Sequence, residues 1–280
     1  MHIFKEIAPL KAHLKARRTG PVSIGFVPTM GALHEGHVSL VRASQKANTV
    51  TVCSIYVNPT QFGNPDDLAK YPRTLDKDLH ILEANSCDIV FCPETEEMYG
   101  TTGAVALSFP GLDSILEGEF RPGHFSGVAQ VVAKLFHIVQ PDRAYFGQKD
   151  FQQVAIIARM VKALKFDVEI VSMPIVREPD GLAMSSRNQR LSPEQRRQAT
   201  ILHASLLETR AHLLDGQPLS GLIEIIRSRC AGQDVKLEYL ALVDREDFTL
   251  RDTVTDPRRA VILIAGQVGP VRLIDNLFLS

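Results

Sequence analysis

Apolar positions over the first 176 residues follow two alternating patterns. Short apolar runs predict buried strands at 22–28, 49–57, 87–92, 143–147 and 167–176, and the second is too dense in β-branched residues for a comfortable helix. Between them, apolar residues return every three or four positions and predict helices at 36–47, 74–84, 125–139 and 150–165, the third stopped before Pro141. This βαβ rhythm implies a parallel sheet covered on both faces. Beyond residue 176 the pattern changes. Ser192 and Pro193, a cap and first-turn pair, open a long helix over 192–214, and a second helix follows at 218–230. Strand-like runs at 235–244, 260–269 and 271–279, the last two joined by a Gly-Pro turn, complete a smaller α+β domain. The expected organisation is therefore α/β over 1–176 and α+β over 177–280.

Composition narrows the function classes. With 280 residues, 45% hydrophobic and 22% charged, the chain has ample core for two modest domains. The formal charge, 31 − 32 = −1, argues against nucleic acid held by bulk electrostatics. It leaves room for a small anion in a local basic pocket. Cys53, Cys87, Cys92 and Cys230 form no C-x-x-C pair, and the first three lie in apolar runs, which points to reduced core thiols. No run approaches the ~18 apolar residues of a membrane helix, and the N-terminus lacks a signal-peptide core. A soluble cytoplasmic protein without membrane association is expected.

The stretch VPTMGALHEGH, residues 27–37, ends an apolar run and opens a helix, with His34 and His37 three positions apart. In an open parallel sheet ligands bind at the carboxyl ends of strands, and a helix start near Gly36 offers free N–H groups and partial positive charge to an anion. The histidines read as phosphate donors ahead of two alternatives, structural histidines or zinc ligands completed by His124; H-E-x-x-H is absent. Neither a P-loop nor a G-x-G-x-x-G fingerprint occurs, so phosphate binding has to be assembled from other segments. FGQKD (146–150) ends a second strand with Lys149 and Asp150. MSSRN (184–188) adds Ser185, Ser186 and the guanidinium of Arg187, which can grip phosphate oxygens bidentately. Expected at one sheet edge, the three segments make a triphosphate-sized set of donors.

These segments also carry a resemblance. TMGALHEGH matches the H-x-G-H signature, and MSSRN resembles a variant K-M-S-K-S loop, of the nucleotidylyl-transferase superfamily. Together with VNPTQFG, YPRT, RPGHFSGV, PDRAYFGQKDFQQ and VREPDGLAMSSRN, in that order, the whole chain resembles the pantoate–β-alanine ligase (pantothenate synthetase) family. The resemblance implies a Rossmann-like N-terminal domain, a smaller C-terminal lid and a homodimer. It implies condensation of pantoate with β-alanine, with ATP converted to AMP and pyrophosphate. ATP would be bound by Met30, Gly31, Ala32, Leu33, His34, Glu35, Gly36 and His37, by Gly147, Gln148, Lys149 and Asp150, and by Val176, Met184, Ser185, Ser186 and Arg187. Pantoate would meet Gln61 and Gln153, with Gln61 also near β-alanine. Asn58, Tyr71, Arg121 and His124 match supporting positions. Mg2+ would sit near Asp78, where the chain reads Asp76-Lys77-Asp78 and some relatives have two adjacent acids.

On this reading His34, His37, Lys149 and Arg187 are the catalytic donors. Pantoate's carboxylate is already a nucleophile, so the first step calls for in-line placement and for cations where charge builds on pyrophosphate. An imidazolium at His37 is the expected donor to the departing phosphate. The same-superfamily alternative is a nucleotidylyltransferase with a stable dinucleotide-like product, and the distant one a zinc-dependent hydrolase.

Overall fold

The computed structural model describes residues 1–100, 103 and 105–280. Its first part runs β1 (His2–Phe4), α1 (Ile7–Arg17), β2 (Ile24–Thr29), α2 (Glu35–Ala47), β3 (Val50–Ile55), α3 (Pro65–Ala69), α4 (Leu75–Ala84) and β4 (Ile89–Phe91). It continues with α5 (Thr95–Tyr99), α6 (Glu117–Phe120), α7 (His124–Val139), β5 (Arg143–Gly147), α8 (Phe151–Leu164) and β6 (Glu169–Met173). The six strands form one parallel sheet in the order β1-β4-β3-β2-β5-β6. The central strands β2 and β3 are buried almost throughout, which explains their continuous apolar sequence.

The pattern left β1 and α1 unassigned. Three residues cannot display a period, and α1 buries only Leu10 and Leu14. α7 ends where expected, because Gln140 adopts a left-handed φ of 52° and Pro141 cannot continue the helix.

The second part comprises α9 (Pro193–Leu214), α10 (Ser220–Ala231), β7 (Val235–Asp244), β8 (Leu250–Arg251), β9 (Ala260–Val268) and β10 (Val271–Phe278). Its sheet is antiparallel in the order β10-β9-β7-β8. Ser192 caps α9 by accepting the N–H of Gln195, whose side chain accepts the Ser192 N–H in return. The apolar faces of α9 and α10 close over β7, β9 and β10. A Rossmann-like parallel sheet followed by a small α+β unit is thus the architecture.

Two compact units result, one of Met1–Gln148 with Gln152–Pro174, the other of Ile175–Ser280 with Lys149–Phe151. The three-residue segment belongs to the second unit because Phe151 stacks on Phe248 at 5.7 Å and meets Phe278 edge-on at 5.5 Å.

All four cysteines are unpaired and buried. Burial pushes every thiol up, Cys87 to about 12. No helix among the described residues is long and apolar enough to cross a membrane.

Candidate active site

Strand order locates the site before any side chain is considered. From β2 the chain steps to β3 and β4 on one side, then returns to β5 on the other. The direction of winding therefore reverses between β2 and β5, the position where open α/β sheets bind ligands at strand carboxyl ends. The segment after β2 is Met30–His37, and β5 ends in Gly147, followed by Gln148.

The three-residue spacing of the histidines has a local cause. His34 is the N-cap of α2 and His37 its third helical residue. Nδ1 of His34 accepts the Gly36 N–H at 3.1 Å, and Nδ1 of His37 accepts the His34 N–H at 3.3 Å. This is a reciprocal capping box with imidazoles in place of hydroxyl and carboxylate. The rings lie 4.1 Å apart, centroid to centroid. An acceptor Nδ1 carries no proton, so each neutral ring has its N–H on Nε2. The expected imidazolium at His37 is thereby revised. Protonated Nδ1 would face the backbone N–H it now accepts, so the donor from this ring is a neutral Nε2–H.

The turn ahead of α2 is held from below. Gly31 has φ +79°, and a Cβ there would sit 2.9 Å from Asp78 Oδ2, so only glycine fits without displacement. Ala32 is also left-handed, at φ 49°, a strained conformation for an L-residue. Asp78, 1% exposed, accepts the N–H of Ala32 at 2.9 Å and of Leu33 at 2.8 Å, plus the Thr74 hydroxyl at 3.1 Å. Asp78, the position expected near Mg2+, is thus occupied by donors of the chain itself. Its oxygens are directed at backbone donors, whereas a Mg2+ ligand has to present an oxygen at close range to the ion. The arrangement does not fit a metal contact at Asp78.

Gln61 is 6% exposed and therefore no surface glutamine. Its Oε1 accepts from Asn58 Nδ2 at 3.3 Å, and its Nε2 lies 2.8 Å from Met30 Sδ. Asn58 is itself fixed. Its Nδ2 also donates to Gly127 O, and its Oδ1 accepts the Tyr99 and Thr60 hydroxyls. Gly127 permits this contact, since a Cβ there would stand 2.3 Å from Thr60 O. The Gln61 amide is thus turned with its NH2 end toward residue 30.

His124, at the start of α7, donates from Nδ1 to Gln61 O at 2.9 Å, which leaves Nε2 to accept from Arg121 Nη1 at 3.0 Å. Both ring nitrogens are engaged, one by Gln61 and one by Arg121, so His124 does not join His34 and His37 as a zinc ligand. Among the described residues no three His, Cys, Asp or Glu side chains form a metal-holding group. In α8 two adjacent glutamines differ. Gln152 is 3% exposed and ties Glu117 N–H, Leu112 O and Ile115 O together, while Gln153 is half-buried. Tyr71 is buried, its ring edge-on to Phe62.

The second unit carries the other cationic segments. Lys149 Nζ is 4.0 Å from Asp150 Oδ1. Residues 176–184 form a hairpin, in which Met184 N–H donates to Val176 O and Glu178 N–H to Leu182 O. Ser185 Oγ then accepts the Arg187 N–H at 3.3 Å, opening a short 3-10 turn with Ser186 buried. Arg177, Asp275 and Asn276, which the pattern did not single out, surround these segments.

A doubly wound parallel sheet with a histidine-capped helix at its switch point defines a Rossmann-like α/β protein. The comparisons make this specific. A sequence profile of the pantoate-beta-alanine ligase family matches residues 2–278. The pantothenate synthetase of Bacteroides fragilis is 46% identical over 277 residues, covering 99% of this chain and 98% of that one. That of Acidobacterium capsulatum is 51% identical over 269 residues, covering 95% and 89%. The crystal structure of pantothenate synthetase from Thermus thermophilus superposes with a TM-score of 0.91 at 41% identity, covering 100% of this chain and 99% of that one. The pantoate-beta-alanine ligase of Francisella tularensis, complexed with beta-gamma ATP and beta-alanine, gives 0.85 at 34%, covering 100% and 98%. The chain belongs to the pantoate-beta-alanine ligase family, and it is a ligase.

Proposed function

We propose that this chain condenses (R)-pantoate with β-alanine through a pantoyl-adenylate, converting ATP to AMP and pyrophosphate. The observation that carries the reading is the pair of imidazoles whose Nδ1 atoms cap α2 and whose protons therefore sit on Nε2. Such fixed donors at a helix N-terminus suit a polyphosphate, whose charge they meet without reorganising.

In the first step a pantoate carboxylate oxygen attacks the α-phosphorus in line, and the bond to pyrophosphate breaks. His34 and His37, with Lys149, Ser185, Ser186 and Arg187, receive the charge that develops on the leaving oxygens. Met30–Leu33, Glu35, Gly36, Gly147, Gln148, Asp150, Val176 and Met184 complete the ATP-binding set. The NH2 group of Gln61, oriented through Asn58, and the Gln153 amide hold pantoate, and Gln61 borders the β-alanine position. In the second step the β-alanine amine attacks the adenylate carbonyl, and the bridging oxygen leaves with AMP. The family resemblance also implies Mg2+, for which Asp78, held by backbone donors, does not fit as a ligand. A homodimer in the cytoplasm is part of the same proposal.

Labelling tests the order of events. Pantoate carrying heavy oxygen in its carboxylate is expected to deliver one labelled atom to AMP and none to pyrophosphate. Labelled pyrophosphate is expected to exchange into ATP when pantoate is present and β-alanine absent. Label appearing in pyrophosphate or phosphate would exclude the adenylate.

A further inference from the structure

The buried pair Asp275–Asn276 on β10 touches both cationic segments of the second unit. β10 is an edge strand whose hydrogen-bonded neighbour is β9. Strand alternation sends adjacent residues to opposite faces. Val271, Leu273 and Asp275 are buried on one face, where Asp275 meets Arg177. Asn276 shares the other face with Phe278, the face that meets Phe151.

Arg177 grips Asp275 bidentately, Nη1 to Oδ2 at 2.6 Å and Nη2 to Oδ1 at 3.0 Å. The same guanidinium donates to Asn276 O at 3.1 Å and to Gly181 O at 3.0 Å, closing the hairpin that leads into Met184–Arg187. On the opposite face Asn276 Nδ2 donates to Lys149 O at 3.0 Å. One dipeptide therefore fixes the backbone of Lys149 and the root of the Ser185–Arg187 turn. A bidentate guanidinium pair and an amide clamp set angles as well as distances, which a hydrophobic contact would not do.

We propose that Asn276 and the Arg177–Asp275 pair are positioning residues, which hold Lys149 and Arg187 in register for the α-phosphoryl step. The proposal rests on the assignment of Lys149 and Arg187 to ATP made above. Misplacing a catalytic group by about an ångström can cost up to about a hundredfold in rate. Loss of the Asn276 amide is therefore expected to act on the adenylation rate and not on the acceptor.

The test is a double-variant cycle on the full chain, read by pantoate-dependent ATP–pyrophosphate exchange and normalised to active sites titrated in a single-turnover burst. Asn276→Ala is expected to slow exchange about tenfold or more, with the KM values for pantoate and β-alanine unchanged. Lys149→Ala is expected to slow exchange further. The double variant should be no slower than Lys149→Ala alone, because Asn276 would act through Lys149. A merely structural role would instead lower the active fraction and leave the normalised rate of Asn276→Ala unchanged, whereas two losses that multiply in the double variant would show that Asn276 does not act through Lys149; either result overturns the proposal. Asn276→Ser, which preserves size and polarity better, takes the place of Asn276→Ala if the latter fails to fold. Arg177→Lys, which keeps charge but not the fork, should reproduce the slowed exchange, and wild-type exchange in it would also count against the clamp. Normal exchange in Lys149→Ala itself would remove the functional assignment of Lys149, and the inference with it. Impaired Lys149→Ala beside unimpaired Asn276→Ala would remove the inference alone.

Discussion

His37 Nδ1 accepts the backbone N–H of His34, so the second histidine of the motif holds the residue that carries the first. The bond fixes the tautomer. Nitrogen NMR of the unliganded protein above neutral pH is expected to show both Nδ1 atoms as unprotonated ring nitrogens and both protons on Nε2. A protonated Nδ1 at either ring would break the capping arrangement and the donor assignment with it.

Arg187→Lys should keep the fold and lose turnover. The lysine retains the charge but cannot make two parallel bonds to a phosphate. Comparable melting temperatures with kcat reduced tenfold or more, roughly the value of one charge-assisted bond, are expected. Wild-type kcat would take Arg187 out of the phosphate site.

The neighbours Gln152 and Gln153 should separate cleanly. Gln152→Ala removes three hydrogen bonds, two of them buried, and should cost about 1–3 kcal/mol of stability, because the Glu117 N–H and Leu112 O are left unmatched. Gln153→Ala should leave the denaturation midpoint nearly unchanged and raise the KM for pantoate well above any change in the KM for ATP. Equal effects on both substrates would move Gln153 elsewhere.

Asp78→Asn turns an amide NH2 toward backbone N–H groups that now meet a carboxylate oxygen. At least one of those bonds must be lost, and the strained Ala32 turn with it. A higher KM for ATP and a lower melting temperature are expected, with the Mg2+ concentration at half-maximal rate unmoved. A shift in the Mg2+ requirement alone would restore Asp78 to the metal.

His203 gives the fold an acid-sensitive point. Burial holds its imidazole below the ordinary range, Arg177 adds to the effect, and Asp275 opposes it. The folded state then binds fewer protons than the unfolded one, so the contribution is complete above about pH 6.5 and is lost as pH falls through the lowered folded value. Melting temperatures near pH 7.5 and 5.5 should differ less in His203→Gln than in the wild type. An equal difference in both would place the acid sensitivity on other groups.

The legible parts of the sequence were those with a local signal. β2, β3 and α2 announce themselves by period and by β-branched density, and the H-x-x-H spacing marks a helix start because capping is a three-residue relation. The backbone partners of Asp78, Ala32 and Leu33, were not legible because they lie 46 and 45 positions away. Asn276 was invisible for the same reason, since its contact with Lys149 spans 127 positions. Tautomers could not be read either; they depend on which backbone N–H faces the ring. The positions assigned by resemblance alone, Gln153 among them, rest on motif matches whose chemistry the variants above address.

The buried Asp78 carboxylate also bears on the thermodynamics of association. Residues 31–33 are pinned in the unliganded chain, and fixing a single residue's backbone costs about 1–2 kcal/mol of conformational entropy. That loss is incurred once, when the polypeptide folds, and not at each encounter with a nucleotide. If residues 31–33 take the nucleotide as proposed, the loop meets it with its configurational disorder already removed.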